Sequence, residues 1–355
     1  MRVLDRYIIK TVLGAVALVT AILLVLIGLF MFIGQQGEVG TGSFSSFDAL
    51  WFVALNMPEQ LFEFLPIGGL IGTLLGVGTL ARGSELTVMR AAGISILRIG
   101  LSLAMAGVLL TVLAAVVGEY IAPALGQMAR EHKAFAKFSN VSFAGQGGAW
   151  VRDGDLILKA EQQSGDGAFG GFMVFDLSPD NRLLGIGRAT SAIEQPGEGW
   201  NLNDYDESRF DGDQIVSRHE TARRLTTRVS AGFLGVAATD PARLSVRALR
   251  KVVAYLGNNQ QDTRVYQFAL WSRIAKVCAI FFAVLLALPF VFGSLRSSGA
   301  GARMTLGLVL GMGYFLLEKM VQSGTLAFGL DPVLLAWAPT AVLAALVGGL
   351  LLRLQ

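Results

Sequence analysis

Glu63, Glu318 and Lys319 interrupt apolar runs that otherwise carry almost no charge. An ionisable group within a bilayer is costly and is a functional residue by default. At headgroup depth the same side chains could snorkel to the interface with no further role. Lys319 has the most specific chemistry of the three, because a cation at the outer end of a span can meet an anionic lipid headgroup. Catalytic constellations are missing from the sequence. No lysine follows a glycine, so there is no Walker-type phosphate loop. His132 and His219 cannot form an H-E-x-x-H zinc site, Cys278 is the only cysteine, and no G-x-S-x-G elbow occurs. The acids Asp204, Asp206, Glu207, Asp211 and Asp213 read as a solvated face or a set of turns rather than a calcium or glycosidase site. These residues point to no enzyme and no cofactor.

A second constellation is the segment from Arg82 to Gly93. Ser84 reads as an N-cap, Glu85 as a first-turn acid that suits the helix dipole, and Gly93 as the C′ residue. The result is a short helix with Leu86 and Met89 on one face, three residues apart. Such a helix either fits a groove on another protein or caps its own bundle at the interface. In the second span Gly68, Gly72 and Gly76 recur every four residues. This small-residue spacing lets helix backbones approach closely, within the chain's own bundle or between chains.

The elements that carry these residues follow from composition. Of 355 residues, 53% are hydrophobic and 15% charged, with mean hydropathy +0.57. Soluble domains are about 25% charged, so the bilayer is part of the solvent of this chain. Disorder, nucleic-acid binding and a disulfide-stapled scaffold are excluded by the same figures. Six runs are long enough to cross about 30 Å of hydrocarbon: residues 11–37, 60–81, 99–118, 277–295, 304–317 and 333–352. The first is too long for a removed signal peptide and lacks a cleavage site. Arg2, Arg6 and Lys10, then Arg82, Arg90 and Arg98, then Arg296 and Arg303, and finally Arg353 lie on one side, whereas residues 35–60 carry only acids. By the positive-inside rule both termini are cytoplasmic and the long middle segment is on the opposite side.

That middle segment continues the third span as a helix past Pro123 and then turns to strands. Asp153-Gly154 is a hairpin signature, and further turns are read at Ser178-Pro179-Asp180-Asn181 and Gln195-Pro196-Gly197-Glu198-Gly199. Many short strands at this spacing predict a sandwich or jelly roll. The expected architecture is an α-helical membrane protein of six transmembrane helices with an all-β jelly roll inserted between helices 3 and 4. The expected boundaries are residues 1–122 for helices 1–3, with the short cytoplasmic helix at 84–93; 123–270 for the outer region, with its β core at about 138–235; and 271–355 for helices 4–6.

Several motifs together resemble the LptF/LptG permease family of lipopolysaccharide export. They are Leu4-Asp5-Arg6-Tyr7-Ile8, Ser84-Glu85-Leu86-Thr87-Val88-Met89, Gly118-Glu119-Tyr120-Ile121-Ala122-Pro123 followed by Gln127-Met128-Ala129-Arg130, Tyr266-Gln267 with Trp271-Ser272-Arg273-Ile274, and Phe292-Gly293-Ser294-Leu295-Arg296-Ser297. The first and third favour the LptG branch. The resemblance implies an ATP-driven ABC transporter in the bacterial inner membrane. Its permease pairs with an LptF-type partner on an LptB-type ATPase dimer, with an LptC-type bitopic protein attached. It implies lipopolysaccharide as substrate, taken from the outer leaflet and passed to a periplasmic bridge for outer-membrane assembly. Glu85, Leu86, Met89 and Arg90 would then contact the ATPase, and Phe64 would meet acyl chains. Family members often carry lysines at the end of the first span, yet residues 31–42 hold no base here. Either Lys319, Arg130 and Lys133, beside Glu318 and Glu63, or the partner permease is expected to take over part of that role. The rival readings are a non-transporting scaffold that presents a β domain, and an intramembrane transferase, for which no convincing catalytic set is present.

Overall fold

A computed structural model describes residues 3–40, 43–137, 149–153, 155–163, 168–180, 182–195, 199–211, 214–227, 240–258, 261–292, 299–328 and 330–352. Gly154, Asn181, 196–198, Asp213, 293–297, Arg2, Arg353 and both ends of the expected β core lie outside these residues. Two compact units emerge. The first combines residues 1–34, 53–125 and 264–355, and the second combines 35–52 and 126–263.

The first unit is helical. Its elements are α1 (Val3–Gln35), α2 (Ser46–Arg82), α3 (Glu85–Ala91) and α4 (Ile96–Val116). A π-helical segment, Val117–Ile121, then leads into α5 (Ala122–Lys137), which belongs to the second unit from residue 126 onward. After the middle segment come α7 (Arg264–Phe292), α8 (Ala300–Phe328) and α9 (Pro332–Leu352). Among the described residues, six helices are long and apolar enough to cross a membrane. Ile8, Val12, Leu74, Ile99, Leu103, Ile280 and Val284 form their shared core.

The helices extend beyond the charge-free runs. The second span begins at Ser46 rather than 60, and the fourth begins at Arg264 rather than 277. Within the fourth span, Arg273 and Lys276 are buried against partners on other helices, the Gly118 carbonyl and the acids Glu63 and Glu318. Pro123 does not end its helix. A proline cannot donate to the carbonyl four residues back and its ring crowds that turn, and the chain widens locally into the π segment. With the Ala122 N–H bonding five residues back to Val117, the Gly118 carbonyl faces Pro123, which has no N–H, and accepts a 2.5 Å hydrogen bond from Arg273 of α7. Two of the sequence motifs meet at this bond.

The second unit is built on one antiparallel sheet. Its strands are β1 (Ala149–Asp153), β2 (Leu156–Gln163), β3 (Ala168–Leu177), β4 (Leu183–Gln195), β5 (Gly199–Asp211) and β6 (Gln214–Leu225). The spatial order is β1-β2-β3-β4-β5-β6, so every described strand pairs with its neighbour in sequence. This is a meander, and the crossovers of the expected jelly roll are not among the described strands. Short turns between long strands favour consecutive pairing, a distinction that strand spacing alone does not carry. Leu158, Ala160, Phe172, Val174, Ala189, Trp200 and Leu202 make its core, with Phe172 and Trp200 stacked at 5.2 Å. Tyr255 of α6 (Val246–Asn258) packs on this core and donates to the Arg152 carbonyl at 3.1 Å. Burial pushes the Tyr205 phenol up to about 12.

Candidate functional site

Four charges from three helices converge in the first unit. Glu63 of α2, Lys276 of α7, and Glu318 and Lys319 of α8 form one ion cluster. The Lys276 ammonium donates to Glu63 and lies 2.7 Å from Glu318. Lys319 lies 3.1 Å from the other oxygen of Glu63. Burial grades across the group: side-chain exposure is 8% for Lys276, 13% for Glu318, 24% for Glu63 and 47% for Lys319. Burying ions is costly unless each keeps a partner, and the two acids and two bases balance.

An apolar floor lies beside the charges. Phe64, next to Glu63, stacks on Phe315 at 5.7 Å, and Lys319 Nζ is 5.4 Å from the Phe315 ring centre. One turn of α8 therefore presents Phe315 below Lys319. Val19, Ile67 and Ile71 back the aromatic pair. A cation beside stacked aromatics is suited to a molecule with an anionic head and an apolar body.

Of the residues singled out in the sequence, the structure brings Glu63, Phe64, Glu318 and Lys319 together, and it adds Lys276, which was expected outside the fourth span. Charge balance was the available signal: two acids in apolar runs require more than one base. Arg273, one turn earlier on α7, lies over the Phe62 ring at 4.9 Å.

Lys133 and Arg130 belong to the second unit, on α5. Lys133 Nζ reaches Gln35 at 2.6 Å and Glu38 at 2.5 Å, and sits 4.9 Å from the Phe52 ring centre. A base is thus brought to the end of α1, where the local sequence has none. His132 pairs with Asp48 at 2.8 Å beside it.

The short helix α3 is present, but its capping differs from expectation. Ser84 is left-handed (φ 61°) and makes no side-chain cap, because it serves to break α2, its N–H bonding back to Ala81. Gly93, at φ +87°, ends α3. Its N–H bonds to the Arg90 carbonyl while that of Ile94 bonds to Met89, the paired closure of a Schellman motif. Leu86 is 4% exposed and joins the bundle core, with Met89 packed against the same cluster. Of the two readings left open for this helix, the packing of Leu86 and Met89 fits the one in which they face their own bundle. An apolar pair three residues apart on a helix lying on a bundle gains more by facing that core. Glu85 is half-buried, whereas Val88 and Arg90 are exposed. Beside α3, buried Asp5 binds Arg98 at 2.7 Å and accepts from Ser102 at 2.8 Å.

The glycine face of α2 packs on α1. A Cβ on Gly68, Gly72 or Gly76 would meet Thr20, Val16 or Val12 and Ala15 respectively.

A bundle of apolar helices with a balanced ion cluster beside an aromatic floor, joined in one chain to a β sheet, defines a multi-pass membrane protein. The chain belongs to the LptF/LptG family: the family model described as lipopolysaccharide export system permease LptF/LptG matches residues 6–353. It is 33% identical over 341 residues to the lipopolysaccharide export system permease protein LptG of Escherichia coli K12, covering 96% of this chain and 95% of that protein. The same figures hold for the LptG of Escherichia coli O6:H1. The LptG of Haemophilus influenzae is 27% identical over 351 residues, 99% of this chain and 98% of its own length. Membership carries a role in lipopolysaccharide export.

Proposed function

We propose that this chain is the LptG-type half of an ATP-driven exporter in the bacterial inner membrane, which lifts lipopolysaccharide from the outer leaflet towards a periplasmic bridge. The observation that carries the reading is the Lys319–Phe315–Phe64 arrangement, which offers one headgroup contact and one acyl contact side by side. Phe64 would touch acyl chains and Lys319 a phosphate, while Lys133 and Arg130 would supply the cations that the end of α1 lacks. The charges position the lipid. Most of the binding free energy is hydrophobic, at about 0.8 kcal/mol per buried CH₂. A lipid with several acyl chains therefore needs an external energy source to leave the bilayer, and the sequence carries no nucleotide loop of its own. An LptF-type permease, an LptB-type ATPase dimer and an LptC-type protein complete the assembly.

In this reading both termini and α3 face the cytoplasm, as the arginine distribution supports, and the β unit is periplasmic. Glu85, Val88 and Arg90 would meet the ATPase, while Leu86 and Met89 tie α3 to the bundle, so that a push on the helix moves the core as one body. Glu85→Ala in the assembled transporter should leave the complex intact and lower lipid-stimulated ATP hydrolysis and transport together. Full transport by that variant would overturn the coupling assignment. Lys319→Ala should reduce lipopolysaccharide crosslinking to α8, and unchanged crosslinking would remove Lys319 from the path.

A further inference from the structure

We propose that Glu63 is an internal counter-ion of Lys319 that the phosphate of the bound amphiphile displaces, with Lys276 as the positioning residue that makes the exchange possible. The inference rests on the reading of Lys319 as a headgroup contact and adds to it a competitor and a support. The cluster is electrically balanced as it stands: Glu63 and Glu318 face Lys276 and Lys319. A balanced cluster does not attract an anion from a distance. Lys319 must let go of Glu63 before it can serve a phosphate.

The geometry makes that release asymmetric. Lys319 is the exposed member, at 47%, and its described ion pair is the single one to Glu63. Lys276 is deeply buried and bonds Glu63 and Glu318 at once. When Lys319 swings away, Glu63 therefore keeps a partner, and no buried charge is stranded, the condition under which breaking a buried pair is most costly. A phosphate has more acceptor oxygens than a carboxylate and makes strong charge-assisted hydrogen bonds, so it can win the ammonium. The Phe64–Phe315 floor holds the apolar part of the same molecule during the exchange. An amphiphile with no phosphate gains the floor but leaves the ion pair closed.

The test uses the full chain purified in lipid nanodiscs, titrated with a bisphosphorylated hexa-acyl glucosamine disaccharide and with its dephosphorylated counterpart. Glu63→Gln should tighten binding of the phosphorylated lipid by about fivefold, the scale of a partly exposed ion pair, and leave the dephosphorylated lipid unaffected. Lys276→Gln should weaken the phosphorylated lipid by about tenfold, because of the two lysines that pair with Glu63 only Lys319 then remains to hold it. Lys276→Arg should restore binding, which a mere loss of packing would not allow. If Glu63→Gln fails to fold, Glu63→Asp, which keeps the charge but shortens its reach, should tighten binding in the same direction. Unchanged or weaker binding by the Glu63 variants, or no rescue by arginine, would overturn the exchange. If Lys319→Gln still prefers the phosphorylated lipid as strongly as the wild type does, the headgroup contact itself fails. Dependence on Lys319 without any response to Glu63 or Lys276 sinks the exchange alone. Added inorganic phosphate should leave lipid binding unchanged, and competition by it would overturn the headgroup as the source of the anion.

Discussion

Gly72 of α2 lies against Val16 of α1 with no room for a side chain: a Cβ there would fall 2.7 Å from the Val16 nitrogen and 2.8 Å from its Cγ2. Because backbone cannot yield as a flexible side chain can, Gly72→Ala should cost about 1–3 kcal/mol, the range of overpacking. Thermal unfolding in detergent would show a lowered midpoint. Gly14→Ala, which meets nothing within 4 Å on α1, should leave the midpoint in place.

Leu86 and Val88 should separate stability from coupling. Leu86 is buried in the bundle, so Leu86→Ala should destabilise by about 2–4 kcal/mol through the cavity it leaves. Val88 is 66% exposed, and Val88→Ala should leave unfolding unchanged within about 0.5 kcal/mol. Under the proposed orientation, Val88→Asp should weaken capture of the ATPase from solution. Equal melting losses from the two alanine variants would contradict the burial of α3.

Asp5 ties the start of α1 to α4 through Arg98 and Ser102. The Arg98 side chain is 38% exposed, so solvent softens the loss when its partner goes. Asp5→Asn should cost about 1–2 kcal/mol. Hydrogen exchange at the first turn of α4 is the direct measurement, with protection expected to fall there and hold in α9.

His219 on β6 bonds Asp206 at 2.7 Å, with Asp204 at 3.5 Å. The Asp206 hydrogen bond, its charge and then that of Asp204 hold the imidazole pKa above its ordinary value. A raised folded value makes the contribution to stability full below the ordinary value of about 6.5. That contribution fades as pH rises through the folded value. Imidazole NMR titration should give a midpoint above the ordinary one, and Asp206→Asn should lower it. An unshifted midpoint in the wild type would remove the ion pairs.

The spans, the segment between the third and fourth of them, and the short helix after α2 were legible in the sequence, because each rests on local composition and punctuation. Apolar run length, Gly93 and the alternation around Trp200 and Leu202 need no knowledge of neighbours. The ends of the spans were not legible. Arg264, Arg273 and Lys276 look like the edge of a polar domain when read along the chain, yet α7 carries all three. The strand order was likewise open, since a meander and a jelly roll share the same strand spacing.

The sequence by itself determined that this chain lives in a bilayer and that ionisable groups interrupt its apolar runs, for hydropathy and charge are additive properties of residues. Tertiary structure decided which charges neutralise one another, which face of α3 turns inward, and which backbone meets Gly72. Those are pairwise quantities: a Coulomb interaction or a packing clash depends on the distance between residues far apart in the chain, and only the assembled helices fix that distance.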